Sequence, residues 1–121
     1  MGPALRPAFA AFAAAAMLGA ASAALAHAHL VSSTPAEGAA GPAPKSIVLV
    51  FSEKLEKKFS GAELSKEGAP LGSHGLLEEK EGKALTITPD APLAPGAYKV
   101  SWHAVSVDGH RTKGEVKFAV R

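Results

Sequence analysis

The stretch AYKVSWHAV, residues 97–105, decides the fold. Tyr98, Val100, Trp102 and Ala104 alternate there with Lys99, Ser101 and His103. Successive side chains of a strand point to opposite faces, so this period of two predicts a strand with one face in a core. Pro95-Gly96 is a turn signal that sets its start. Trp102, the one tryptophan in the chain, is the natural anchor of that core. Full burial of a large aromatic contributes roughly 1.5–3 kcal/mol.

The same pattern repeats on either side. Residues 114–120 (GEVKFAV) alternate as a final strand, after a loop at residues 107–110 that contains Asp108-Gly109. Residues 84–88 (ALTIT) form another strand, closed by Pro89. In residues 45–52 (KSIVLVFS), Ile47, Leu49 and Phe51 share one face, and Val48 and Val50 share the other. A strand apolar on both faces belongs in the middle of its sheet. Residues 53–58 are charged and fit one helical turn, residues 59–66 read as a further strand, and residues 67–82 read as a loop with one weak hairpin. Leu30-Val31 opens a first strand, stopped by Thr34-Pro35 and a linker at residues 38–44. About seven short strands punctuated by Gly and Pro, with no long amphipathic helix, predict an all-β chain. Its expected form is an immunoglobulin-like sandwich of two antiparallel sheets.

The first residues read as a processed leader. Arg6 supplies a positive start, residues 9–21 are an apolar run rich in Ala, and Ala24-Leu25-Ala26 is the small-x-small pattern of a signal-peptidase site. The division expected is a signal peptide at residues 1–26 and one domain at residues 27–121. An uncleaved anchor is the competing reading, since residues 7–26 approach the roughly 20 needed to span a bilayer. A run made mostly of Ala inserts weakly. Ala26-His27-Ala28 also fits the cleavage pattern, so processing after Ala28 is the second possibility.

Removing Arg6 from the 13 basic residues leaves them nearly balanced by 11 acidic ones. That balance argues against a nucleic-acid partner, which calls for a clustered Lys/Arg surface. There is no cysteine, and both methionines, Met1 and Met17, lie in the leader. The expected mature domain therefore holds no sulfur. It depends on its core rather than on disulfides.

Two of the five histidines have informative contexts. Cleavage after Ala26 makes His27 the first residue. Its α-amine and imidazole Nδ1 can then chelate one ion in a six-membered ring. The amine, with an ordinary pKa near 8, gives up its proton to a metal readily at neutral pH. The second context is Asp108-Gly109-His110, where a tight turn lets a carboxylate and an imidazole face one point. Asp-Gly is also an ordinary hairpin signal, and on the residues alone that reading stands beside the first. His29, third in the processed chain, offers a different chelate. That mode takes the amine, two deprotonated backbone amides and the His29 ring, and it competes for the same amine. His74 reads as a solvated loop residue. His103, on the strand face opposite Trp102, is either an exposed strand residue or an outer partner of the site.

These segments resemble the CopC family of periplasmic copper-resistance proteins. The resembling residues are HAHLVSSTPAEGA at 27–39, FSE at 51–53, FSGAEL at 59–64, LTITP at 85–89, LAPGAYKVSW at 93–102 and AVSVDGH at 104–110. They run in order across nearly the whole of residues 27–121. The resemblance implies a Greek-key β-sandwich that holds one copper(II) ion through His27, Asp108 and His110. An amine with two imidazoles is a nitrogen set suited to copper(II). It also implies a monomeric periplasmic carrier or buffer, with a CopD-like inner-membrane copper transporter as partner. Some members carry a methionine-rich loop for copper(I) where this chain has residues 64–77, without methionine. Copper(I) prefers sulfur ligands, so no copper(I) site is expected.

Two other functions compete. An N-terminal histidine chelate is also the metal-binding core of copper enzymes that cleave polysaccharides oxidatively. Those need exposed aromatics, whereas the one Tyr and one Trp here both fall on the expected core face. A purely structural immunoglobulin-like module is the other alternative.

Overall fold

A computed structural model describes residues 28–77 and 81–121. The expected leader, its cleavage site and His27 lie outside the described residues. The strands are β1 (Leu30–Thr34), β2 (Ala40–Gly41), β3 (Ile47–Phe51), β4 (Gly61–Lys66), β5 (Ala69–Pro70), β6 (Ser73–Leu77), β7 (Ala84–Pro89), β8 (Gly96–Val105) and β9 (Arg111–Val120). They form a four-stranded sheet, β1-β3-β7-β6, and a five-stranded sheet, β2-β9-β8-β4-β5. The chain is an immunoglobulin-like Greek-key sandwich, and it passes repeatedly from one sheet to the other. Two of the nine described strands are two-residue pairings, which accounts for the excess over the seven expected. One of these, β2, lies in the stretch read as a linker, where Ala40 and Gly41 pair in parallel with Ala119 and Val120. A 3-10 turn at Lys57–Phe59 sits where one helical turn was expected.

Burial follows the sequence pattern. Ile47, Leu49 and Phe51 are buried, while Val48 and Val50 are half-buried. β3 lies between β1 and β7, with both faces covered to some degree. On β8, Tyr98, Val100, Trp102 and Ala104 all enter the core, alongside Val116, Phe118 and Val120 of the neighbouring strand β9. Trp102 meets Phe51 of the opposite sheet edge-on, with centroids 5.0 Å apart and planes at 73°. Such pairs add about 0.5–1.5 kcal/mol beyond burial. Tyr98 stacks on Phe118 at 5.4 Å, and its hydroxyl donates to the Ala94 carbonyl at 2.5 Å. Immunoglobulin-like sandwiches use such a tyrosine corner.

Glycine is required opposite the indole. Gly114 pairs with Trp102 across β8 and β9, and a Cβ there would lie 2.5 Å from the Trp102 Cζ2 atom. Real side chains do not approach so closely, so the flat ring lies over a bare α-carbon. This also explains where β9 starts. It begins at Arg111, three residues before the predicted start, because its pairing with β8 continues through Arg111 opposite Val105.

Candidate metal site

The β8–β9 connection, Ser106 to His110, forms a braced turn at one pole of the sandwich. Ser106 N donates to the His110 carbonyl at 2.9 Å, and Gly109 N donates to the Ser106 carbonyl at 2.8 Å. Gly109 has φ +94°, a conformation that L side chains rarely adopt. The Lys54–Glu56 segment supports the turn from outside, with Val107 N donating to the Lys54 carbonyl at 3.1 Å and Glu56 N to the Val105 carbonyl at 2.7 Å.

Inside this turn, Asp108 and His110 are brought together as the sequence predicted. His110 Nδ1 lies 3.0 Å from Asp108 Oδ1, and His110 N donates to the same oxygen at 3.3 Å. Nδ1 is enclosed, yet the His110 side chain as a whole is 44% exposed. The ring nitrogen left to a ligand is therefore Nε2. The sequence reading missed Ser106, which is only 2% exposed and donates its hydroxyl to Asp108 Oδ1. The Ser-x-Asp spacing was legible as a local side-chain bond, but burial of the serine was not.

The Ser106 hydroxyl, and after it the His110 imidazole, push the Asp108 pKa from 3.8 down to about 2. A depressed carboxylate contributes stability that is fully present above its unfolded value near 3.9. That contribution is lost as pH falls through the folded value. A carbon-detected NMR titration of the Asp108 carboxyl is expected to show a midpoint near 2, and Ser106→Ala is expected to raise it toward the ordinary value. A wild-type midpoint near 4 would contradict this account of the turn.

The start of the described chain reaches the same pole. Ala28 is fully buried, and its carbonyl accepts from Thr112 Oγ1 at 3.0 Å, two residues beyond His110. His29 N donates to Ser52 Oγ at 2.9 Å, and Ser52 N donates back to the His29 carbonyl at 2.9 Å. Contacts 84 and 23 residues apart in sequence leave no local signal, so Thr112 and Ser52 were invisible beforehand.

The other histidines are not part of this arrangement. His74 is exposed on β6, with Nδ1 2.5 Å from Asp90 Oδ1. His103 is exposed on the outer face of β8, its ring lying across Gly61. Among the described residues no group of three or more His, Asp or Glu is placed to hold a metal ion. Asp108 and His110 supply two potential donors, so a complete set needs a contribution from elsewhere.

The CopC domain family matches residues 30–121. Copper resistance protein C of Pseudomonas syringae pv. tomato is 47% identical over 103 residues, which cover 79% of this chain and 82% of that protein. Among solved structures, PcoC, a methionine-rich copper resistance protein from Escherichia coli, superposes with a TM-score of 0.73 at 39% identity, over 79% of this chain and all of that one. CopC from Methylosinus trichosporium OB3b gives a TM-score of 0.72 at 26% identity, over 78% of this chain and 93% of that one. With a family match spanning most of its length and relatives covered over four fifths or more of theirs, the chain belongs to the CopC family, whose relatives here are named copper resistance proteins.

Proposed function

We propose that the processed protein is a periplasmic carrier or buffer for a single copper(II) ion. The ion is held by the α-amine and imidazole of His27 together with His110 Nε2. Asp108 holds the His110 ring and stands beside the ion. Copper is cargo here, taken up and passed to an inner-membrane transporter of the CopD type.

One observation supports this reading. Ala28 is anchored in the core and bonded to Thr112, two residues beyond His110, so the described chain starts beside the segment that carries His110. In this sequence the residue before Ala28 is a histidine with a predicted cleavage point immediately ahead of it. The oxidation state follows from ligand chemistry. Residues 27–121 contain no sulfur, and nitrogen donors favour copper(II) over the softer copper(I). In this respect the chain differs from PcoC, which is described as methionine-rich.

The test is a copper(II) titration against a competing chelator, using protein whose intact mass shows a start at His27. Outer partners of metal ligands alone are worth about 10–100-fold in affinity. Loss of a direct donor in His110→Ala is therefore expected to cost at least about 100-fold. Unchanged affinity in that variant would leave a sandwich whose turn plays no part in copper binding.

A further inference from the structure

The terminus His27-Ala28-His29 admits two copper chelates that share one amine. In the first, the amine and the His27 ring act with His110. In the second, the amine acts with the amide nitrogens of Ala28 and His29 and with the His29 ring, and both amide protons pass to solvent. The second mode needs His29 N free of its proton and turned toward the ion. In the folded chain that nitrogen is committed, because it donates to Ser52 Oγ at 2.9 Å. Ser52 N grips the adjoining His29 carbonyl at 2.9 Å. On the other side, Ala28 has its side chain in the core and its carbonyl held by Thr112. Forming the amide chelate therefore requires breaking the Ser52 bond and disturbing the seat of Ala28.

We infer that Ser52, aided by Thr112, selects the chelation mode. By occupying the His29 amide it closes off the amide chelate and reserves the amine for the site with His110. Ser52 acts as a positioning residue that need not touch the ion. The inference rests on the proposed start at His27, and it goes further by assigning the choice of ligand set to a side chain in a different strand connection.

The experiment compares wild type, Ser52→Ala and Ser52→Thr, each verified by intact mass and thermal melting. Copper(II) and, separately, nickel(II) are the probes. Binding is read as protons released per ion, as the visible d–d band, and as the number of coupled nitrogens in electron paramagnetic resonance. Loss of one hydrogen bond shifts a balance by about tenfold. Ser52→Ala is thus expected to release up to about one more proton per copper, move the d–d band toward shorter wavelength and take up nickel(II) in a square-planar form, a geometry natural to that ion in nitrogen sites. Ser52→Thr, which keeps the hydroxyl, is expected to behave as wild type. His29→Ala is expected to be silent in wild type and to abolish the shift in Ser52→Ala. Thr112→Val releases the clamp from its other side and is expected to shift the balance in the same direction, which serves if Ser52→Ala does not fold. A wild-type signature that depends on His110 and is untouched by Ser52→Ala and Thr112→Val would overturn the selection while leaving the proposed site standing. A wild-type signature that already depends on His29 and ignores His110 would overturn both.

Discussion

One residue added ahead of His27 is expected to lower copper(II) affinity by about 1,000-fold, or about 4 kcal/mol at 1.4 kcal/mol per factor of ten. The extension turns a basic amine into a peptide nitrogen, which removes one donor and with it the six-membered ring that makes the His27 imidazole a chelating partner. Competition titration of extended and mature proteins measures the effect. Groups that act as one unit lose their effects non-additively, so His110→Ala is expected to cost far less in the extended protein than in the mature one. Equal affinities for extended and mature chains would show that the amine takes no part.

Trp102→Ala is expected to cost about 3–5 kcal/mol of folding stability, the range for deleting a large buried aromatic. A domain of this size has only about 5–15 kcal/mol in total, so the variant sits near the edge of folding. The cost belongs at the top of the range for two reasons. The ring bridges the sheets through its edge-on contact with Phe51. Its neighbour across the strand pair is Gly114, which has no side chain to fill the space. Trp102→Phe is expected to cost much less, because the indole Nε1 has no hydrogen-bond partner among the described residues. Urea unfolding is the measurement, with the midpoint falling and the slope unchanged. A Trp102→Ala midpoint within error of wild type would mean that the core is not organised around this ring.

The long strands were legible because their side chains alternate against one core. Ile47, Leu49 and Phe51 in β3 and Tyr98 to Ala104 in β8 each declared both a strand and its buried face. The short edge pairings were not. Ala69 and Pro70 of β5 are exposed, so they carry no burial pattern and form a strand only because β4 is beside them. The start of β9 was hidden for a different reason. Gly114 occupies an inward position that would ordinarily show an apolar residue, so Arg111 to Lys113 lacked the partner needed to read as alternation.

The site divided along similar lines. Asp108-Gly109-His110 was readable as a hairpin turn or as a carboxylate and an imidazole facing one point, and the structure shows the hairpin with the two side chains 3.0 Å apart. Ser106, Ser52 and Thr112 are small hydroxyl residues of a kind found anywhere on a surface. Their roles come from what lies opposite them in three dimensions, which a linear pattern does not encode.

The proposed ligands come from opposite extremities of the domain and converge only where Ala28 docks beside Thr112. An ion seated there would staple those extremities together, and ligand binding to the folded form alone raises stability by about 4 kcal/mol at a thousandfold excess over Kd. Loss of tertiary order would scatter the same groups and let the metal go. Under the proposed function, possession of copper would thus double as a certificate of integrity, and an unfolded copy would hold none.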